Sequence, residues 1–364
     1  MSALIVLAAG GTGGHMFPAE ALAGELVGRG INVALVTDKR GQAFDNRLPG
    51  VALHRIRAGR PGAGITSKLV AICEIALGLL AARHILRALA PAAAVGFGGY
   101  PSVPTMMAAA RLGLPTVIHE QNARLGRANR WLVPRMKRIA TSFAQVDGLG
   151  DIARARIVET GNPVRPAVVA ARGTPYAPPI AGPINVLIIG GSQGARILST
   201  VVPGALALLP GELKARLAVA QQARPEDVDA VRRAYEAGGI GAEIVTFFAD
   251  LPARMAHAHL VISRSGASSV AELCVVGRPA ILVPYRHAAD DHQTANAEAL
   301  AATGAVWVMS EQSFTSPALA QRVETLFAQP QLLAAAAASA QRHGRPDAAR
   351  RLADLVLETA GGGR

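Results

Sequence analysis

Twice in this chain an apolar run breaks off at paired glycines and a helical pattern follows at once. "ALIVLAAGGTGGH" starts at residue 3 and "INVLIIGGSQGAR" at residue 184. Glycine weakens strands and helices alike. Its concentration at such a junction marks a strand-to-helix turn whose backbone bends sharply or lies close to something. A chain that restarts in this way reads as two similar units. Just before the second start lies "RGTPYAPPIAGP" (172–183), a Pro- and Gly-rich stretch with the character of a linker.

Short apolar runs alternate with helix-period segments around these junctions. Candidate strands are 3–9, 32–37, 92–97, 116–119, 185–189, 243–246, 260–263, 280–283 and 305–308. Segments such as 18–28 and 268–276 repeat apolar residues at i, i+3 and i+4. Near-continuous apolar strands separated by helices indicate parallel sheets covered on both faces. The expected fold is α/β, with two Rossmann-like doubly wound parallel-sheet domains facing a cleft. Their expected bounds are 1–163 and 164–340. The tail reads as two helices split at 344–346, the last of them (346–360) rejoining the first domain.

The length of 364 residues suits two such cores. No apolar run reaches the ~20 residues of a membrane span. The nearest, "LVAICEIALGLLAA" (69–82), is interrupted by Glu74. No basic segment precedes the first apolar run, so no signal peptide is expected. Cys73 and Cys274 match no metal spacing, which fits a cytosolic protein with reduced thiols. The net charge of +12 is uneven: residues 1–163 hold 19 Lys/Arg against 9 Asp/Glu, and the remainder 18 against 16. Arg124, Arg127, Arg130, Arg135, Lys137 and Arg138 form a local cluster. Such a field favours an anionic partner, either a phosphorylated substrate or an acidic membrane surface. Nucleic acid is disfavoured, because aromatics are only 4% and no binding motif occurs.

In doubly wound sheets, ligands bind beyond the carboxyl ends of the strands, and helix N-termini attract phosphate. Gly10, Gly11, Gly13 and Gly14 would let the backbone approach one, although tight packing alone would also explain them. The dinucleotide fingerprint fails in both turns: "GTGGHM" puts Met16 at the third glycine, and "GGSQGA" does not fit. Asp38 nevertheless ends the second strand where a ribose-binding acid would stand. His15 opens the helix, where the dipole disfavours an imidazolium, so it reads as a neutral base or as a contact to phosphate or a loop carbonyl. "GFGGYPS" (96–102) is a second glycine-rich strand end. With residues 12–15 it could make two N–H nests for a pyrophosphate, or it is a plain turn with Pro101 and Pro104 starting a helix. "IHEQNA" (118–123) sets His119, Glu120, Gln121 and Asn122 at a strand end suited to hydrogen-bonding a sugar.

The ordered blocks "GGTGGHMFPAEALA", "VGFGGYPSVPTMMAA", "IHEQNARLGRANR", "TGNPVR", "GGSQGAR", "SRSGASSVAEL" and "HAADDHQTANA" span residues 10–297. They closely resemble the MurG family, bacterial transferases that add N-acetylglucosamine to lipid I and so form lipid II for peptidoglycan. The resemblance implies a GT-B fold, UDP-N-acetylglucosamine as donor and undecaprenyl-pyrophosphoryl-N-acetylmuramyl-pentapeptide as acceptor. It also implies inversion to a β-1,4 linkage, no cofactor, and a peripheral position on the cytoplasmic face of the inner membrane.

Carried over residue by residue, the resemblance assigns Thr12, Gly13, Gly14, Asn122, Arg165, Ser192, Ala249, Ala267, Ser268, Ser269, Val270, Ala271, Glu272 and Gln293 to the donor. Gly11, Gly98, Gly99 and Tyr100 fall to the acceptor, with His15 as base and Glu120 as its rival. Glu272 would accept the ribose hydroxyls and Ser192 would meet the phosphates. The backbone of Ala249 would read uracil, at a position where the family often carries a larger apolar residue. His292 stands where the family also has Gln. Asp290, Asp291 and the "DVD" at 227–229 invite a metal reading, but the expected site is metal-independent, with helix dipoles and Arg165 stabilising the departing UDP. The alternatives are another GT-B enzyme (a nucleotide-sugar 2-epimerase, or a transferase to a different lipid or natural product) and a non-enzymatic nucleotide-binding or scaffold protein. The 69–82 helix, flanked by Lys68, Arg83 and Arg87, is either core or a docking surface for anionic lipid.

Overall fold

The structure is a computed structural model and describes residues 3–10, 13–38, 50–59, 64–191 and 194–362. The chain divides into two units, Met1–Arg165 with Arg345–Arg364, and Pro166–Gly344.

The first unit runs β1 (Leu4–Ala8), α1 (Gly13–Gly28), β2 (Asn32–Thr37), β3 (Ala52–Arg55), α2 (Ile65–Leu89), β4 (Ala93–Gly96), α3 (Ser102–Arg111), β5 (Thr116–Glu120), α4 (Arg127–Leu132), β6 (Arg138–Thr141) and β7 (Ile157–Glu159). The second runs α5 (Pro166–Ala171), β8 (Ile184–Ile189), α6 (Arg196–Ala207), α7 (Gly211–Lys214), β9 (Leu217–Gln222), α8 (Val228–Ala237), β10 (Ala242–Val245), α9 (Leu251–His257), β11 (Leu260–Ser263), α10 (Ala267–Val276), β12 (Ala280–Leu282), α11 (His292–Ala301), β13 (Val306–Val308), α12 (Ser316–Ala328) and α13 (Pro330–His343). The chain then returns to the first unit as α14 (Ala348–Gly361), which packs on α1.

The first sheet has the order β3-β2-β1-β4-β5-β6-β7, with every pairing parallel. Its central strands are apolar without alternation because both faces are covered. Val6 and Ala8 of β1 join the core under α2, α3 and α4, whereas Ile5 and Leu7 join the core under α1 and α14. The second sheet has the order β10-β9-β8-β11-β12-β13, again parallel. Val186 and Ile188 of β8 pack there with α6, α8, α12 and α13, while α5, α9 and α10 pack together as another helical group. Strand order reverses between β1 and β4 in one unit and between β8 and β11 in the other. Those two points are where a doubly wound sheet opens a ligand crevice.

Helix α1 starts at Gly13, earlier than the 18–28 segment read from periodicity. Each glycine costs only about 1 kcal/mol in a helix, and burying Met16 at the head of α1 outweighs that. Strands β3, β6, β7 and β9 were not foreseen. The first three have only three or four residues, β3 and β7 lie at the sheet edges, and β9 ends in Gln221 and Gln222.

Candidate active site

In the first unit, the two glycine-rich loops follow the neighbouring strands β1 and β4, and they meet. A Cβ on Gly10 would stand 2.8 Å from the Pro101 ring. Gly99 has φ 72°, and a Cβ there would lie 3.1 Å from the Gly10 carbonyl oxygen and 3.3 Å from His15 Cδ2. Gly98 has φ 81°, and its Cβ position is 3.4 Å from His15 Cε1. Left-handed backbone and the nearness of the imidazole together exclude larger residues. Gly13 and Gly14 form the first turn of α1, and His15 is its third residue, half-buried. Ser102 Oγ donates to the Gly99 carbonyl at 2.9 Å, and Tyr100 beside it is half-buried. Gly11 and Thr12 lie outside the described residues.

The end of β5 differs from its expected role. His119, Glu120 and Gln121 are 0%, 1% and 2% exposed and point into the protein rather than toward a sugar; only Asn122 is half-buried. Glu120 Oε1 accepts from the Asn122 backbone N–H at 3.0 Å and from Asn122 Nδ2 at 3.1 Å. Its Oε2 accepts from the Gly126 N–H at 3.0 Å and from Asn129 Nδ2 at 2.8 Å. A carboxylate with four donors on its two oxygens braces the β5–α4 loop. Asn129 was missed in the sequence; it also donates to the His119 carbonyl at 3.2 Å.

On the other side of β5, His119 Nε2 donates to the Gly161 carbonyl at 2.9 Å. Burial is the largest influence on this imidazole, and it lowers the pKa from 6.5 to about 4. The Gly161 bond opposes that shift, and the nearby His15 adds to it. Gln121 Nε2 donates to the Phe97 carbonyl at 2.8 Å, and it lies 3.1 Å from His119 Nδ1 and 3.2 Å from the His119 carbonyl. Its Oε1 is 3.3 Å from His15 Nδ1. Arg165 lies near the start of α1, its guanidinium 5.2 Å from the Phe17 ring centroid.

In the second unit, three of the sequence blocks converge at the carboxyl ends of β8, β11 and β12. After β8, the Gly190 N–H donates to Gln222 Oε1 at 3.2 Å; Ser192 lies outside the described residues. After β11, Ser265 Oγ donates to the Gln293 carbonyl at 2.8 Å, and Asn296 Nδ2 donates to the Ser265 carbonyl at 3.1 Å. Gln293 Oε1 in turn accepts from the Tyr285 N–H at 2.9 Å. Arg264, 8% exposed, donates to the Val283 and Pro284 carbonyls at 3.0 and 3.2 Å and pairs with Glu311 at 2.6 Å. The arginine therefore fixes the start of the β12–α11 loop, a role that the sequence did not signal.

Ala267, Ser268 and Ser269 form the half-buried first turn of α10. Val270 and Glu272 are buried, and Ala271 is half-buried. That turn is the positive end of a helix dipole and suits an anion. Ala249 is exposed in the loop after β10. Asp290 and Asp291 both have φ 54° and lead into α11, which His292 opens. The "DVD" stretch does not present its two carboxylates together to solvent. Asp227 is 7% exposed and 3.5 Å from Arg196, whereas Asp229 is exposed and paired with Arg232 at 2.8 Å. Among the described residues, no three His, Cys, Asp or Glu side chains gather as a metal site.

A model of the glycosyltransferase family 28 N-terminal domain matches residues 5–141, and one of its C-terminal domain matches residues 185–352. The UDP-N-acetylglucosamine–N-acetylmuramyl-(pentapeptide) pyrophosphoryl-undecaprenol N-acetylglucosamine transferase of Rhodospirillum centenum is 56% identical over 358 residues, covering 98% of this chain and 94% of the relative. The crystal structure of Acinetobacter baumannii MurG superposes with a TM-score of 0.80 at 29% identity, covering 98% of this chain and 99% of that one. A UDP-N-acetylglucosamine 2-epimerase from Neisseria meningitidis shares the fold alone, with a TM-score of 0.69 at 13% identity over 98% of this chain and 100% of that one. With two family 28 domains in GT-B order and near-full-length identity to these transferases, the chain belongs to glycosyltransferase family 28, as a member of its MurG family.

Proposed function

We propose that this protein transfers N-acetylglucosamine from UDP-N-acetylglucosamine to the C4 hydroxyl of lipid I, with inversion, giving lipid II for peptidoglycan. The observation that carries the reading is the 56% identity, over 98% of the chain, to a transferase named for this donor and acceptor. The epimerase alternative has only a shared fold behind it. Chemically, the acceptor oxygen attacks the anomeric carbon as the bond to UDP breaks, and the hydroxyl proton passes to His15. The glycine loops after β1 and β4 would hold the acceptor pyrophosphate through backbone N–H groups. The first turn of α10 would stabilise charge on the leaving UDP. Incubating the protein with UDP-[14C]N-acetylglucosamine and a lipid I analogue tests this directly. Label should appear in lipid II; a release of UDP-N-acetylmannosamine with no lipid product would overturn the reading.

Glu272 is proposed to hold the donor ribose. It is buried one turn inside α10, behind the serines of the first turn. Glu272→Ala should weaken UDP-N-acetylglucosamine binding by ~1–3 kcal/mol, the scale for hydrogen bonds to a charged group and its desolvation. Calorimetry on the folded variant checks this, and unchanged affinity would remove Glu272 from the site.

The proposed workplace is the cytoplasmic face of the plasma membrane, where lipid II supply serves wall growth, cell shape and division. No helix among the described residues is long and apolar enough to cross a membrane. Instead α2 carries an exposed apolar stripe of Val70, Leu77 and Leu80, with Ile72 beside it. Leu77 and Leu80 are 48% and 62% exposed, so these positions are not core. Arg83 and Arg87 follow on the same helix. In the same helical layer, α4 exposes Trp131, with Arg127, Arg130, Arg135 and Lys137 exposed around it. An apolar stripe rimmed by cations suits anionic lipid, each cation adding about 1 kcal/mol near the surface. Leu80→Asp should cut liposome partitioning about tenfold or more, since burying a leucine is worth about 1.5–3 kcal/mol. Salt should weaken what remains. Flotation that ignores salt, anionic lipid and this substitution would defeat the docking surface.

A further inference from the structure

The hydrogen bonds behind His15 form a line that ends on the backbone. Side chains of β5 alternate: Val117 joins the core under α1, and Ile118 joins the core under α3 and α4. His119 and Gln121 continue the first series, toward His15, while Glu120 continues the second, toward Asn129. The Gln121 amide has only one workable orientation. Its Nε2 lies against the Phe97 and His119 carbonyls, at 2.8 and 3.2 Å, and both of these can only accept. The amide oxygen is thereby turned toward His15 Nδ1, 3.3 Å away.

A carbonyl oxygen facing a ring nitrogen needs a proton on that nitrogen. The hydrogen bond at one imidazole nitrogen decides which of the two carries the lone pair. Behind Gln121, His119 gives its Nε2 proton to the Gly161 carbonyl. Its Nδ1, 3.1 Å from the same amide nitrogen, is then an acceptor that shares the second amide proton with the His119 carbonyl. Burial keeps that second ring neutral, so the line is not reversed near pH 7.

We propose that Gln121, backed by His119, is a positioning residue that fixes His15 as its Nδ1–H tautomer, so that Nε2 presents the lone pair to the acceptor hydroxyl. This rests on the reading of His15 as the base. It adds a part that the glycine loops cannot supply, because they confine the ring but do not choose its tautomer.

Histidine-selective 15N labelling tests the lock without any turnover measurement, the His15 signal being identified by its loss in His15→Ala. The wild-type His15 should show a protonated Nδ1 and an unprotonated Nε2. In Gln121→Met, an unbranched replacement of like length, that preference should be lost. Turnover of Gln121→Met should fall about 10- to 100-fold, the scale for removing a partner that orients a functional imidazole, with KM for UDP-N-acetylglucosamine unchanged. In a His15→Ala background the same change should add less than about twofold, because the two residues act as one unit. A protonated Nε2 in the wild type, or an unaltered tautomer in Gln121→Met, overturns the lock. An equal loss in both backgrounds overturns its action through His15. Normal turnover of His15→Ala would instead overturn the base reading and leave the tautomer result standing.

Discussion

Replacing His15 with alanine is expected to lower turnover by about 10²–10⁴, with UDP-N-acetylglucosamine affinity nearly intact. An alcohol attacking an anomeric carbon must lose its proton, and a positioned general base typically contributes a factor of that size. The loss corresponds to about 2.7–5.5 kcal/mol of barrier. Three features prepare this ring for the task. It stands at the head of α1, where the helix dipole opposes an imidazolium. It is flanked by Gly98 and Gly99, where an added Cβ would come within 3.3–3.5 Å of the ring. Its Nδ1 faces the Gln121 amide oxygen. The ring is half-buried, so its removal should leave the fold intact, which circular dichroism would verify. The measurement is kcat at saturating lipid I analogue, with donor affinity from calorimetry. If kcat is unchanged and only KM for the acceptor rises, His15 is part of a phosphate cradle and the base lies elsewhere.

The doubly wound architecture was legible because it depends on features that one-dimensional patterning carries. Strands covered on both faces must be apolar throughout, and sharp strand-to-helix turns need glycine. The direction of the polar side chains at the end of β5 was not legible for the same reason. In a strand buried on both sides, alternation does not distinguish outside from inside, so His119, Glu120 and Gln121 looked like a ligand-facing set. Their partners include backbone groups outside the strand, Phe97 after β4, Gly161 after β7 and, nearer by, Gly126 before α4, together with the side chains of Asn122 and Asn129. No local pattern announces such carbonyls and amides. Asp227 is a parallel case. Its burial beside Arg196 follows from how the turn before α8 packs near the start of α6, and its place in a "DVD" triplet says nothing of that. Arg264 and Asn296 were likewise hidden, because each serves main-chain oxygens of neighbouring loops.

Glu120→Ala should destabilise the first unit by about 3–5 kcal/mol, because it strips several hydrogen-bond donors of their shared acceptor at once. The substitution leaves the Asn122 N–H and side-chain amide, the Gly126 N–H and the Asn129 side-chain amide without their acceptor. Each buried donor so abandoned costs about 1–3 kcal/mol. The total stays below the sum because Asn122 is half-buried and can recover water. Trp131 in α4 follows the braced loop closely in sequence and offers a local probe once the second tryptophan is removed as Trp307→Phe. In that background the urea midpoint reported by Trp131 should fall by about 1–5 M for an m-value of about 1–3 kcal/mol/M. Glu120→Gln separates bracing from proton transfer. Its oxygen can still serve one pair of donors while its NH₂ opposes the other pair, so stability should fall by less than in the alanine variant. Where the Gln variant is folded, its turnover should stay within about tenfold of wild type, because the barrier then still has His15 as base. A Gln variant as stable as wild type but slower by 10² or more would transfer the base assignment from His15 to Glu120.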